Sequence, residues 1–351
     1  MTGFSGMSLL VVGGAGFVGS NLVRALLAAG AGEITLVDNF LSSDRSAVLE
    51  DARVKLIEGS IAEDEVLARL PQATDYAWHL ACYHGNQSSI ADPLADHANN
   101  TITSLKLFQR LSGVKSLRKV VYAAAGCAVA EKTYGEAVAT PEDAPVSLFQ
   151  DSPYSISKLV GEMYGNYFFT RGQLPFVKAR FQNVYGPGEI LGAGAWRGTP
   201  HTVWRNVTPT FIFKALHGEA LPLDNAGQTS RDFIFVDDLV RGLMACALKG
   251  VPGEAYNLAT GREVTILELA DAINRATGNT APHDLRPARD WDRSGRRFGD
   301  PSKSRRELGF EATTQIEDGI ARTVAWTRAN LRLIRRCMAA HAARLDLSAY
   351  L

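Results

Sequence analysis

Cysteine is scarce in this 351-residue chain: Cys82, Cys127, Cys246 and Cys337 stand far apart and form no CxxC pair. That spacing excludes a disulfide framework and a structural zinc site, and it suits a reducing compartment. No metal is expected. Net charge is missing as well. Lys plus Arg and Asp plus Glu number 37 each, so no overall field would draw in nucleic acid or an acidic membrane surface. No run reaches membrane-spanning length, and the opening "MTGFSGMSLLVVGG" carries no basic leader before a strand-like segment. A cytoplasmic protein is expected, with neither nucleic acid nor membrane as a partner. Internal repeats and low-complexity tracts are also lacking. What the chain does have is length for one large or two smaller domains around a sizeable core. Selectivity must therefore reside in a site.

Short apolar runs recur between amphipathic stretches: "SLLVV", "EITLVD", "VKLIE", "YAWHLA", "KVVYAA" and "PFVKARF". Strands without polar alternation, separated by helical patterns, predict a parallel α/β sheet covered on both faces. After Arg180 the pattern loosens into a long Gly- and Pro-rich stretch through "GPGEILGAGAWRGTPHTVWRNVTP", the kind of segment that forms binding loops. Helical periodicity returns at 210–218, 236–249, 265–276 and 315–344, and "EAYNLA" reads as another strand. The basic stretch "RANLRLIRRCMAAHAARL" reads as a solvated terminal helix.

Two patterns carry chemistry. In "LLVVGGAGFVGSNLVRALLAAG", Gly13, Gly16 and Gly19 fall after a strand and at the start of a helix. Small residues there let backbone approach a pyrophosphate while helix N-terminal N–H groups face its charge. Asp38 closes the second strand, where a carboxylate accepts hydrogen bonds from the adenosine ribose and repels a 2′-phosphate. The pattern therefore predicts NAD over NADP. Downstream, "DSPYSISKLVGEMYGNYFF" sets Tyr154 and Lys158 four residues apart on one helix face. An ammonium beside the phenol, together with a positive nicotinamide, favours the phenolate and equips Tyr154 as a base near neutral pH.

With these landmarks the chain resembles, over nearly its whole length, the extended short-chain dehydrogenase/reductase family in its nucleotide-sugar epimerase and dehydratase branch. The shared stretches are "GGAGFVGS", "VDNF", "HLA" at 79–81, Asn100, "YSISK", "RFQNVYGP", "RDFIFVDDLVRG" and "ELGF". The resemblance implies a Rossmann-type doubly wound parallel sheet over 1–182, with a return segment at 230–258, and a smaller α/β sugar-binding domain from 183–229 and 259–351. It implies that NAD contacts Gly13, Gly16, Phe17, Val18, Gly19, Asp38, Asn39, Ser60, Ile61, Leu80, Ala81, Asn100, Ala123, Tyr154 and Lys158. A nucleoside diphosphate sugar would meet His84, Gln87, Ser88, Ala125, Asn183, Arg197, Asn206, Arg231 and Arg293, the last two gripping the diphosphate. For Arg231 an ion pair with Asp232 or Asp237 is the competing role. Trp196, Arg197 and Arg205 fall in the loop over the expected sugar pocket, where an arginine can recognise a C6 carboxylate. A homodimer through helices near 94–112 and 154–171 is also implied.

The chain departs from this family at two places. Ser60 stands where an acid usually flanks the adenine. In "AAAGCAVAE", Ala125 replaces the Ser or Thr that hydrogen-bonds the sugar hydroxyl being oxidised, and Gly126-Cys127 replaces the Asp-Glu of sugar 4,6-dehydratases. The dehydratase route is thereby disfavoured. Cys127 stands where GDP-mannose 3,5-epimerase and GDP-fucose synthase carry an acid/base cysteine, although those enzymes pair it with Lys or His where this chain has Asn206. A small residue lining the pocket floor is the other reading of Cys127. The expected function is C4 epimerisation of a UDP-sugar through a 4-keto intermediate, with Tyr154, Lys158 and Cys127 as candidate catalytic residues. The alternatives are a UDP-uronic acid decarboxylase, a 3,5-type epimerase or reductase using Cys127, and an NAD-binding regulatory protein without catalysis.

Overall fold

The computed structural model describes residues 3–129, 135–290, 292 and 295–351, with backbone alone at Cys127. From the N-terminus, β1 (Ser8–Val12), α1 (Phe17–Ala28), β2 (Glu33–Asp38), β3 (Val54–Glu58), α2 (Asp64–Ala68) and β4 (Tyr76–His79) alternate. Next come α3 (Asn86–Ala91), α4 (Pro93–Asp96), a wide π turn at His97–Ile102 and α5 (Thr103–Leu111). Then follow β5 (Lys119–Ala125), the short α6 (Gly126–Val129), α7 (Pro153–Thr170), β6 (Phe176–Phe181) and β7 (Asn183–Tyr185). The remainder comprises α8 (Val207–Leu216), β8 (Pro222–Asp224), β9 (Ser230–Arg231), β10 (Phe233–Phe235), α9 (Val236–Lys249) and β11 (Ala255–Leu258). The chain closes with β12 (Val264–Thr265), α10 (Ile266–Thr277), β13 (Asp284–Arg286), α11 (Ile316–Ala329) and α12 (Leu331–Ala339).

Seven strands form one parallel sheet in the order β11-β6-β5-β4-β1-β2-β3. Alternation along β1 shows why the strands are apolar throughout. Leu9 and Val11 join Leu22, Val23 and Leu26 of α1 and Leu239 and Leu243 of α9 on one face. Leu10 and Val12 join Leu107 and Phe108 of α5 and Phe168 of α7 on the other. Strand order reverses between β1 and β4, and the crevice outside the carboxyl ends there is where ligands of open α/β sheets bind. The six strand runs and "EAYNLA" each coincide with one of these seven strands to within two residues at either end.

A second core gathers Phe211 and Ile212 of α8, Leu269 and Ile273 of α10 and Ile320 and Val324 of α11. Strand β10 bridges the two regions: Phe233 and Phe235 enter this second core, while Ile234 enters the first. The expected helix at 315–344 breaks at Asn330, whose side-chain and backbone N–H groups both donate to Trp326 O and close α11. The basic terminal segment is half buried, not wholly solvated. Ile334, Cys337 and Met338 of α12 pack with Ile190, Val203 and Phe213, and Arg336 bonds Asp44. Among the described residues, no helix is long and apolar enough to cross a membrane, and no group of three or more His, Cys, Asp and Glu could hold a metal ion.

Candidate active site

One cleft of about 660 Å³ runs along the carboxyl edge of the sheet, from the β1–β2 turns to the loops around α8. Its first end is shaped by a turn of glycine backbone. Gly13 adopts φ +85°, and a Cβ there would lie 2.5 Å from Ala81 N; a Cβ on Gly19 would lie 2.1 Å from Gly13 O. Only glycine permits this tight turn and the close seating of α1 against it. The Asp38 carboxylate accepts from Ala15 N (2.9 Å), Phe40 N (2.9 Å) and Ser43 Oγ (2.8 Å), tying the glycine turn to the loop after β2. Phe17, Val18, Asn39, Ser60, Ile61, Leu80, Ala81 and Ala123 line the same end. A glycine turn at a helix N-terminus with a carboxylate one strand away fits an adenine dinucleotide.

Asn100 is placed differently from expectation. It does not line the cleft but lies buried beneath it, donating to Asp96 Oδ1 (2.7 Å), Ser157 Oγ (3.2 Å) and Tyr83 O (3.3 Å) and accepting from Tyr83 N (2.6 Å). Its work is to clamp the loop after β4.

At the middle of the cleft, Ser152 caps α7 by accepting from Ser155 N, and Pro153 fits the first turn. This start fixes Tyr154, whose backbone N–H donates to Ser89 Oγ (3.1 Å). Lys158 is buried; its Nζ donates to Ala123 O (3.0 Å) and sits 5.8 Å from the Tyr154 ring centre. No carboxylate among the described residues pairs with it. The His84 ring meets Tyr154 edge-on at 6.0 Å. Burial, reinforced by the charges of Arg197, Arg205 and Lys158, pushes the His84 pKa down to about 3, so the imidazole is neutral at physiological pH.

The far end is built from side chains. Gln87, Ser88, Ala125, Asn183, Arg197, Arg205, Asn206 and Arg231 all face the cleft, whereas Arg293 and the Cys127 side chain lie outside the described residues. Arg197 is only 4% exposed; its Nη1 donates to His84 O (2.8 Å) and its guanidinium sits over the Tyr83 ring at 5.7 Å. Its Nε has no hydrogen-bond partner and no carboxylate pairs with it among the described residues. Arg231 does pair with an acid, but with Asp292 (3.2 Å) instead of Asp232 or Asp237, and it also donates to Ser230 O and Gly295 O. Asp232 is committed to Thr260 and Gly261, and Asp237 to Arg322. Trp196 is not among the residues lining the cleft; its ring meets that of His341 at 5.9 Å, tilted by 44°.

Sequence reasoning missed Glu189 and Gln182. The buried Glu189 carboxyl accepts from Asn206 Nδ2 and leaves Oε2 without a partner; burial pushes its pKa up to about 7. Nothing local in "GPGEIL" signals that burial. Gln182 also lines the cleft and stood in plain view beside Asn183 in "RFQNVYGP".

A dinucleotide-shaped cradle leading to a Tyr-Lys pair and then to an arginine-lined end defines a nucleotide-dependent oxidoreductase-type site. The family model of the NAD dependent epimerase/dehydratase family matches residues 9–259, and the chain belongs to that family. It is accordingly an NAD-dependent enzyme. The Bordetella bronchiseptica enzyme WbmF, solved in complex with NAD+ and UDP, is 54% identical over 98% of this chain and 99% of that one, with a TM-score of 0.89. The UDP-glucose 4-epimerase of Mycolicibacterium smegmatis is 32% identical, covering 92% of this chain and 99% of its own length. A dTDP-glucose 4,6-dehydratase of Streptomyces niveus is 27% identical over 92% and 94%. Relatives of both activities therefore align along nearly the whole chain, and they are enzymes, which removes the support for a non-catalytic role.

Proposed function

We propose that this enzyme inverts C4 of a UDP-sugar. The observation that carries this reading is the pairing of Tyr154 with a buried Lys158 that has no carboxylate partner among the described residues, next to a β5 end whose residues Ala125 and Gly126 bring no acid. Tyr154 takes the proton of the C4 hydroxyl as that carbon becomes a ketone. The Lys158 ammonium supports the phenolate and holds the nicotinamide ribose. When bound, NAD+ would supply the acceptor for the C4 hydride, and its reduced form would supply the donor for the return. The 4-keto sugar then turns over, Tyr154 returns the proton to the new alkoxide, and no net oxidation remains. The cradle at Gly13, Gly16, Gly19 and Asp38 would hold the cofactor between turnovers. Asn183, Asn206, Arg231 and Arg293 would hold the nucleotide diphosphate. In this reading 1–182 with 230–258 forms the cofactor domain and the remainder the substrate domain. The choice of uridine leans on WbmF's complex with UDP and on the M. smegmatis relative.

Incubation with UDP-glucose, UDP-glucuronate and UDP-N-acetylglucosamine, followed by proton NMR, should give the C4 epimer of at least one. Unchanged spectra for all three would reject the proposal. A second reading is favoured by Arg197, a buried cation with no anion partner among the described residues. It suits a sugar bearing a C6 carboxylate, whose 4-keto form is a β-keto acid that can lose carbon dioxide. Release of carbon dioxide from UDP-glucuronate would identify that outcome, and solvent deuterium at C3 or C5 would identify epimerisation beside the ketone.

We also propose a homodimer. Leu94, Ile102, Ile156, Met163 and Tyr167 expose apolar side chains along α4, the π turn before α5, and α7, within the helical regions implied in the resemblance. Sedimentation should return twice the chain mass, and Met163→Glu should shift it toward one chain; a wild-type monomer would reject this.

A further inference from the structure

Ala125 brings no hydroxyl to the reacting carbon, yet the cleft is not without a hydrogen-bonding group at that level. Strands β5 and β6 are parallel neighbours, with Ala125 opposite Phe181. Gln182 is the next residue, on the carboxyl edge of the sheet beside Gly126. A Cβ on Gly126 would lie 2.2 Å from Gln182 Nε2, and a Cβ on Gly299 would lie 3.0 Å from the same atom. The carboxamide thus rests in a slot walled by two bare glycine backbones. Gln182 lines the cleft together with Ala123, Ala125, Tyr154 and Lys158, and neither end of its amide bonds to another described residue.

We infer that the Gln182 carboxamide is the hydrogen-bond partner of the sugar oxygen on the reacting carbon, replacing the hydroxyl that Ala125 lacks, and that Gly126 is glycine to leave it room. A primary amide both donates and accepts, so it can accept from the resting hydroxyl or donate to the oxygen as Tyr154 removes the proton. It does not titrate, so it holds and polarises that oxygen while Tyr154 moves the proton. Both departures at the end of β5 then have one cause. An acid at 126, as dehydratases require, would occupy the space the amide fills. The inference rests on the proposed oxidation at this carbon.

Two measurements test it. First, Gln182→Ala should lower kcat on the order of 10- to 100-fold, the effect of one hydrogen bond to developing charge, with UDP affinity and melting temperature unchanged. Gly126→Ala should cause a similar loss and add nothing in the Gln182→Ala background, whereas Ala125→Ser in that background should restore much of the rate. A kcat for Gln182→Ala within about twofold of wild type, or a loss that Ala125→Ser fails to restore, overturns the inference. Second, in a crystal of the Tyr154→Phe enzyme with NAD+ and UDP-glucose, the amide should lie about 3 Å from a sugar oxygen. An amide turned away from the sugar overturns it. That distance is read without turnover, so this arm stands even where the NMR assay rejects C4 epimerisation.

Discussion

The two ends of the cleft meet their ligands with different materials. At the β1–β2 end the turn of glycine backbone and the Asp38 carboxylate come from a single strand–turn–helix–strand unit, with small and apolar residues at or after the ends of β3, β4 and β5 completing the lining. At the β5–β6 end it is a set of side chains, Arg197, Asn206, Arg231 and Gln182 among them, brought together from loops far apart in the chain. Backbone contacts leave no room for a Cβ and so admit one chemistry, which suits a cofactor shared across a family. Side-chain contacts can be exchanged one at a time, which suits a substrate that differs from one relative to the next. Tyr154 and Lys158 stand at the junction, on the rigid start of α7.

Substitutions should separate the junction from the two ends. Tyr154→Phe should lower kcat by roughly 10²- to 10⁴-fold, the range for a lost proton-transfer group, with NAD content and UDP affinity intact; steady-state rates near wild type would remove Tyr154 from the mechanism. At the cofactor end, Gly19→Ala drives a Cβ to 2.1 Å from Gly13 O, so purified enzyme should lose its retained NAD and melt at lower temperature. Full NAD occupancy in that variant would break the distinction between backbone and side-chain ends.

At the sugar end the effects should be conditional. Burial raises the Glu189 pKa from 4.5 to about 7. Below about pH 4.5 the group is protonated in both folded and unfolded chains and contributes nothing. Between those values the unfolded chain ionises first, so stability falls as pH rises, and above pH 7 the full cost is present. Glu189→Gln should therefore stabilise the protein by ~1–3 kcal/mol at pH 8, the gain vanishing near pH 4.5 in melting curves. A gain of equal size at both pH values would mean that the carboxyl is not held in its neutral form. Arg197→Met should weaken binding of a carboxylate-bearing UDP-sugar about tenfold by calorimetry and leave UDP-glucose within about twofold; equal losses for both sugars would make it a general anchor.

The same contrast explains what could be read from the amino-acid sequence. The strands, the glycine turn, Asp38 and the Tyr154–Lys158 spacing are local patterns in which each residue's neighbours along the chain set its surroundings. The setting of Asn100 was not legible, because four hydrogen bonds hold it under the cleft, two of them to Tyr83, 17 residues away. The Arg231 partner, Asp292, is 61 residues distant and so invisible to local pairing rules. Trp196 was expected over the sugar, but its surroundings are set by His341 near the C-terminus. Glu189 titrates high only because the loop around it folds inward. Gln182 differs from these, since its strand register could have been inferred from "KVVYAA" and "PFVKARF" as parallel neighbours, and only the more familiar Asn183 beside it hid the signal.

The central claim, oxidation and return at one carbon, is tested most directly with a UDP-sugar carrying deuterium at C4. After turnover in ordinary water, the account predicts a C4 epimer with the deuterium still at C4, seen by NMR and mass spectrometry. Deuterium found at C6, or lost to solvent, would contradict it.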